Sequence, residues 1–149
     1  MTDVRFYHMT RKRLEQALPE IAAKALDRQY RIVVKAGSRE RLEVLDAALW
    51  TYDPASFLPH GLARDGFEAD QPIWLTTGDD NPNGARMIIL ADGATCPDVG
   101  AYDLCCEFFD GQDDEAVASA RTRWKDYKES GHTVSYYQQD DQGKWLQKA

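Results

Sequence analysis

Apolar residues recur along this chain in short runs that predict five β-strands. The side chains of residues 3–9 alternate with a period of two residues, which is typical of a strand whose two faces have different surroundings. Residues 30–36, 86–91 and 104–109 are instead almost continuously apolar, as expected of strands that are covered on both faces. A shorter run at 73–77 gives the fifth strand. We therefore expect a mostly parallel sheet with helices on both faces.

Three segments repeat their apolar residues at three- and four-residue spacing, which predicts helices within 11–28, 39–50 and 113–132. Thr10 is the expected N-cap of the first helix. Pro19 lies inside that helix. It either kinks the helix or occupies the first position of a main helix that begins there, and we favour the second alternative.

The second helix is expected to be amphipathic. Gly37 supplies the turn before it and Ser38 its cap. Three leucines at helical spacing are predicted to face the sheet: Leu42, Leu45 and Leu49. Four charged residues are predicted to stay in solvent: Glu40, Arg41, Glu43 and Asp46.

The rest of the chain suggests no second domain. Residues 132–139 predict a last strand at an edge of the sheet, and the tail after it is polar apart from Trp145 and Leu146. The 149 residues are enough for one full hydrophobic core. We therefore predict a single three-layer α/β/α domain that spans residues 1–149.

The third helix concentrates positive charge in an acidic protein. Asp113 and Asp114 suit its N-terminus, and Gly131 suits the left-handed position after its end. At about 100° per residue, an apolar edge runs beside a basic one. The apolar edge consists of Ala116, Val117, Ala120, Trp124 and Tyr127, and the basic one of Arg121, Lys125 and Lys128. This helix is either a binding surface or a docked helix with solvated cations.

Residues 51–72 form a long predicted loop that Pro and Gly interrupt but that keeps several apolar side chains. Loops of this length usually have a function. Trp50 and Phe57 either belong to a surface that meets a partner or cover the core.

Charge and cysteine content narrow the possible functions. The net charge is −7 and the isoelectric point is about 4.9, which argues against a broad contact with duplex DNA or an anionic membrane. Three cysteines without CxxC spacing indicate a reduced, cytoplasmic protein. The chain has no apolar leader and no run long enough to cross a membrane, so we expect it to be soluble and not exported.

Motifs for catalysis are missing from the sequence. The turns after the first two strands lack the glycines of a phosphate-binding loop, and no GxSxG motif occurs. His8, His60 and His132 are widely scattered, and the DDNPNG turn lacks the spaced ligands of a calcium loop. We expect no catalytic site, cofactor or metal. The competing hypotheses are a small nucleotide-dependent or hydrolytic α/β enzyme and a protein that binds single-stranded DNA through Trp124 and the neighbouring cations.

Three segments of the sequence resemble a known family. They are DVRFYHM at the start, LDAALWTYDPASFLPHGLA from residue 45, and FFDGQDDEAVASARTRWKDYKESGHTVSYYQQ from residue 108. With these as anchors, most of the chain resembles the chi subunit of the bacterial DNA polymerase III holoenzyme, a clamp-loader accessory protein. The resemblance implies a Rossmann-like fold without nucleotide chemistry and a cytoplasmic, non-catalytic role in DNA replication.

The resemblance also implies two binding surfaces. In the family, the last helix grips the acidic, Phe-terminated tail of single-stranded DNA-binding protein, and the pattern carries over to Val117, Arg121, Trp124, Lys125 and Lys128. Other members can have Tyr at the position of Trp124 and Lys at that of Val117. The second surface binds the psi subunit, another clamp-loader subunit or a helicase, and it comprises Trp50, Phe57, Leu58, Pro59 and His60. DNA would then be contacted only indirectly.

Overall fold

The computed structural model describes residues 2–51, 60–62 and 68–149. Their elements follow in the order β1 (Asp3–Met9), α1 (Leu14–Asp27), β2 (Ile32–Lys35), α2 (Arg39–Thr51), β3 (His60–Gly61), β4 (Ile73–Thr76), β5 (Met87–Ala91), β6 (Leu104–Asp110), α3 (Asp114–Glu129), β7 (Thr133–Gln139) and β8 (Trp145–Gln147). Short 3₁₀ helices at Glu68–Asp70 and Val99–Ala101 precede β4 and β6. Among these described elements, no helix is long and apolar enough to cross a membrane.

The described strands form one sheet in the order β3-β4-β2-β5-β6-β1-β7-β8. Neighbouring strands are parallel except for β7 and β8, which are antiparallel. The predicted α/β fold with a mostly parallel sheet is therefore confirmed. The prediction that residues 132–139 form an edge strand is wrong, because β8 pairs with the outer side of β7. Neither β3 nor β8 was expected from the sequence.

The helices cover both faces of the sheet because the crossover connections after β1 and after β6 run towards opposite edges of the sheet. After β1 it moves to β2 and then to β3 at one edge, whereas after β6 it moves to β7 near the other edge. Parallel crossovers are right-handed, so α1 and α2 lie on one face and α3 on the other. Successive side chains of β1 divide accordingly. Tyr7 and Met9 join the core beneath α1 and α2, and Val4 and Phe6 join the core beneath α3.

Helix α1 begins differently from the prediction. Its N-cap is Arg13, whose N–H donates to Gln16 Oε1 at 3.0 Å, so the prediction that Thr10 caps this helix is wrong. The N–H of Thr10 instead donates to Gln139 Oε1 on β7, at 2.9 Å. The main helix does not start at Pro19 either, because α1 runs from Leu14 through this buried proline. Pro19 removes one backbone donor inside the helix, and its burial among the core residues offsets that loss.

Helix α2 matches its predicted boundaries closely. Ser38 Oγ accepts a hydrogen bond from the Arg41 N–H at 3.2 Å, which confirms the cap. Its leucines at 42, 45 and 49 are buried, as predicted. The prediction for Asp46 is wrong, because this side chain is buried rather than solvated. Asp46 Oδ1 lies 3.0 Å from Nε2 of the buried His60, and this ionisable partner allows a carboxylate to lie on the inner side of the helix.

Candidate functional site

The ends of α3 are fixed as the sequence predicts. Asp113 Oδ1 accepts hydrogen bonds from the N–H groups of Glu115 and Ala116, at 3.0 and 3.4 Å. At the other end, Gly131 has a φ of 87° and its N–H donates to Lys128 O at 3.1 Å. A side chain at this φ would be strained, so glycine suits the position. These contacts define where α3 begins and ends.

The apolar edge of α3 packs on the aromatic side chains of the sheet. Ala120 is buried, and Trp124 and Tyr127 are half-buried against the core. The Trp124 ring lies 5.6 Å from the Phe6 ring and 6.1 Å from the Tyr136 ring, measured between centroids. These tilted and edge-on contacts are favourable arrangements for aromatic pairs. Trp124 therefore has one side against the sheet and another open to solvent.

A cavity of about 350 Å³ lies beside Trp124, and we call it the α3 cavity. It brings together four of the five residues that the sequence assigned to tail binding, because Val117, Arg121, Trp124 and Lys125 all line it. The remaining lining residues were not predicted: Phe6, Phe109, Ala120, Tyr136 and Ala149. Its volume is close to the lower limit of about 300 Å³ for ligand pockets, which is enough for one large side chain.

The basic stripe of α3, defined as Arg121, Lys125 and Lys128, points to solvent. Among the described residues, Arg121 and Lys125 form no ion pair, so their charges are available at the rim of the cavity. Lys128 does not line the cavity. Its Nζ lies 5.1 Å from the centroid of the Trp124 ring, which is within range of a cation–π interaction.

Two further titratable groups, one in the cavity wall and one next to it, have pKa shifts that favour their neutral forms. Burial lowers the pKa of His8 and outweighs the hydrogen bond to the Gly111 backbone and the charge of Asp110, which raise it, while the positive charge of Arg121 adds a smaller lowering. Burial also raises the pKa of Tyr136. His8 Nδ1 and the Tyr136 hydroxyl share a hydrogen bond. The positive charge at the cavity therefore comes from Arg121 and Lys125.

A fourth cation of α3 serves the fold instead. Arg123 Nε donates to Glu107 Oε1 at 2.6 Å, and the Glu107 side chain is almost fully buried in β6. Burial raises the pKa of Glu107, whereas the charge of Arg123 opposes that rise. Burial raises the pKa of Tyr127 as well, together with the charge of Glu107. The ion pair between Arg123 and Glu107 fixes α3 on the sheet, and it thereby fixes the position of the basic stripe. The pairing of Arg123 with Glu107 could not be predicted from the sequence, because Glu107 lies within an otherwise apolar strand.

The second predicted surface is only partly described. Phe57, Leu58 and Pro59 lie outside the described residues. Trp50, at the end of α2, is 58% exposed, so it does not belong to the core. The His60 ring is buried, and its centroid lies 4.8 Å from that of Trp50 in an edge-on contact. The structure thus places these two predicted residues together.

Ligands of doubly wound folds bind at the carboxyl ends of the parallel strands, which for β1 and β6 lie at the turns after Met9 and Asp110. A crevice of about 570 Å³ lies there, lined by residues from 9–13 and by Arg41, Asp92 and Asp110 among others. Three consecutive backbone donors in this turn, from Thr10, Arg11 and Lys12, all point to Gln139 Oε1 at 2.8–3.0 Å. They are engaged within the protein, unlike the free donors of a phosphate-binding turn.

Comparisons with known proteins agree on one family. The family model described as DNA polymerase III chi subunit, HolC, matches residues 1–135. A protein of Escherichia coli (strain K12) named DNA polymerase III subunit chi is 25% identical over 122 residues, which cover 82% of this chain and 83% of that protein. A Rickettsia prowazekii (strain Madrid E) protein named Probable DNA polymerase III subunit chi is 29% identical over 90 residues, which cover 60% of this chain and about half, 54%, of that protein. The chain therefore belongs to the DNA polymerase III chi subunit family, whose members are accessory subunits in DNA replication.

Proposed function

We propose that this protein is a non-catalytic adaptor that links the clamp loader to the acidic C-terminal tail of single-stranded DNA-binding protein. The observation that carries the proposal is the α3 cavity. It combines an aromatic floor with two cations at its rim, Arg121 and Lys125, which form no ion pair with the residues that the structure describes. A peptide that ends in an aromatic residue and a free carboxylate has the complementary chemistry.

The two parts of the cavity bind different parts of such a peptide. The terminal ring packs on Trp124 and Phe6, where burying apolar surface contributes about 25 cal/mol per Å². The terminal carboxylate accepts hydrogen bonds from the Arg121 guanidinium, whose planar donors match a carboxylate. Lys125 and Lys128 attract the acidic residues that precede the ring. This local positive charge allows an acidic peptide to bind although the whole protein carries a net charge of −7.

The second surface supports the linking role through its position. Trp50 belongs to α2 and His60 to β3, an edge strand of the sheet. The α3 cavity lies on the opposite face, next to β7 near the other edge. Two partners that bind at these places do not compete for space. We assign the clamp loader, through psi or another subunit, or a helicase, to the Trp50 surface, because an exposed tryptophan is typical of interface hot spots.

The proposal is tested by calorimetric titration with an acidic peptide that ends in Phe. We expect moderate affinity that falls as the salt concentration rises, because exposed ion pairs are screened. A matched peptide without the terminal Phe should bind far more weakly. Equal binding of the two peptides would contradict a ring-binding cavity.

The rival functions are tested by measuring the melting temperature of the protein with nucleotides, with single-stranded DNA or with the peptide. Only a ligand that prefers the native state raises the melting temperature. A shift with a nucleotide, together with a turnover that survives repurification, would favour the enzyme hypothesis. A shift with single-stranded DNA and none with the peptide would favour direct DNA binding.

A further inference from the structure

The wall of the α3 cavity that lies opposite α3 comes from the β7–β8 hairpin. Tyr136 of β7 and Ala149, two residues beyond β8, both line the cavity. The backbone joins them directly, because the Tyr136 N–H donates to Ala149 O at 3.3 Å. A ligand that extends out of the cavity on this side therefore meets the hairpin.

The register of the strands shows which hairpin residues share a face with α3. His8 pairs with Gln138, and Gln138 pairs with Leu146. The His8 ring contacts Phe109, a member of the core beneath α3, so this row of residues lies on the α3 side of the sheet. Trp145 packs on the other side, where its ring contacts Tyr7. Leu146 therefore lies on the same face as the cavity.

Two features of this face suit a peptide. Leu146 is 45% exposed, although it is a large apolar side chain at the sheet edge. Lys148 lies beside the cavity wall, because its N–H donates to Tyr136 O at 2.7 Å. It is exposed and follows Leu146 by two residues, the spacing that repeats a face of an extended chain. The carboxylates of the hairpin turn, Asp140 and Asp141, lie at the far end from Lys148.

We propose that the hairpin face of Leu146 and Lys148 is an extension of the α3 cavity that binds the acidic segment preceding the terminal aromatic residue of a peptide. This inference rests on the proposed function and adds a second contact to it. Lys148 attracts a carboxylate of the segment, and Leu146 packs on an apolar side chain or on the stems of acidic ones. The charge on Lys148 and the continuity of the face with the cavity wall select an acidic peptide as the occupant.

The experiment uses the full chain and two peptides, one of about eight to ten residues and a short one reduced to the N-acetylated terminal Phe, which has no preceding acidic segment to contact Leu146 or Lys148. We expect Lys148→Ala and Leu146→Ser each to lower the affinity for the long peptide by about three- to tenfold and to leave the affinity for the short peptide unchanged. Val44→Ser is the matched control for Leu146, since Val44 is also 45% exposed but lies on α2. Lys24→Ala, on the exposed side of α1, is the control for Lys148.

The outcomes separate this inference from the proposed function. If the unmodified protein binds neither peptide, the proposed function fails and the extension fails with it. If it binds both peptides and the hairpin variants bind the long one as tightly as the controls do, only the extension is wrong. An equal loss of affinity for both peptides in the hairpin variants would mean that the hairpin shapes the cavity without contacting the preceding acidic segment. That result also overturns the extension. Circular dichroism of each variant excludes unfolding as a cause.

Discussion

The two faces of the sheet are covered to different extents. Helices α1 and α2 lie side by side over the first face, where Leu14, Leu18 and Leu45 are completely buried. On the second face, α3 is the one described α-helix, beside the short 3₁₀ helix that contains the buried Val99, and the aromatic side chains of the sheet stay accessible between α3 and the β7–β8 hairpin. The open aromatic surface thus results from incomplete helix cover rather than from a short sequence motif. The ligands that this surface can bind then depend on which α3 side chains line the α3 cavity.

The same contrast recurs within α3, between two arginines that are two residues apart. Arg121 is exposed at the cavity rim, whereas Arg123 is half-buried and paired with Glu107. One arginine is available to a ligand, and the other fixes the helix on the sheet. A substitution of Arg121 should therefore affect ligand binding, and a substitution of Arg123 should affect stability.

The largest expected effect is the loss of stability in Arg123→Ala. The variant leaves the buried Glu107 carboxylate without its cation, which should lower the free energy of unfolding by about 3–5 kcal/mol. Urea unfolding monitored by circular dichroism measures this loss. Arg121→Ala is the control, and we expect a change within about 0.5 kcal/mol there. A similar loss in both variants would contradict the division of roles.

The pH dependence of this loss has a definite sign. Because burial raises the folded-state pKa of Glu107 above its ordinary value, protonation of Glu107 favours the folded state, and that stabilisation is lost as the pH rises through the folded pKa. Removing Arg123 removes a charge that holds this pKa down. Arg123→Ala should therefore be less destabilising at about pH 5 than at pH 8. An equal loss at both pH values would show that Glu107 is not the group left uncompensated.

The next largest effect concerns the Trp50 surface. Trp50→Ala should weaken association with the clamp loader by about 2–4 kcal/mol, as is typical of a tryptophan hot spot, and should leave peptide binding at the α3 cavity unchanged. Val44→Ala provides a control on the same helix, because Val44 is also exposed. Titration with purified clamp-loader subunits measures the change. Normal association of a folded Trp50 variant would mean that this surface has another role.

A smaller effect is expected for the basic stripe. Arg121→Ala should weaken binding of the Phe-terminated peptide by about 1.5–3 kcal/mol, since it removes a charge-assisted hydrogen bond. Lys125→Ala should do less, because an ammonium does not form the paired hydrogen bonds of a guanidinium. Calorimetry at two salt concentrations checks both variants. Salt-insensitive binding that Arg121→Ala leaves unchanged would support the alternative of a docked helix with solvated cations.

Much of the fold could be predicted from the sequence because its central strands are buried on both faces. Residues of β2, β5 and β6 are almost all apolar, so composition alone indicates them. The strands β3 and β8 have two and three residues, which are too few to show a period. The missed β8 also explains why β7 was taken for an edge strand.

The site was predicted less completely, for a physical reason. The α3 residues follow one another at helical spacing and can be recognised together, whereas Phe6, Phe109 and Tyr136 come from three separate strands. Only the parallel register of β1 with β6 and β7 brings these rings into one floor. The buried Asp46 was missed similarly, because its partner is a histidine from another element. Local patterns do not contain such pairings.

The smallest expected effect is a pH dependence of peptide binding that comes from His8. Burial, with a smaller contribution from the charge of Arg121, lowers the pKa of His8 below its ordinary value, which favours the neutral imidazole at pH 7. The groups that face it are Arg121 of α3, Asp110 and the Gly111 backbone after β6, and the Tyr136 hydroxyl of β7. Protonation in mild acid adds a positive charge beside Arg121.

An anionic peptide should therefore bind more tightly at about pH 5 than at pH 7.5, by about 0.2–1 kcal/mol, the range of an exposed charge pair. The acidic residues of the peptide, with an ordinary pKa near 4, stay largely ionised over this interval. His8→Gln keeps a polar side chain of similar reach but cannot gain the charge, so the increase should disappear in that variant. Calorimetric titration of both proteins at the two pH values measures the difference. If His8→Gln retains the full increase, the proton is taken up elsewhere, and His8 contributes to the cavity only by packing against Phe109 and Tyr136.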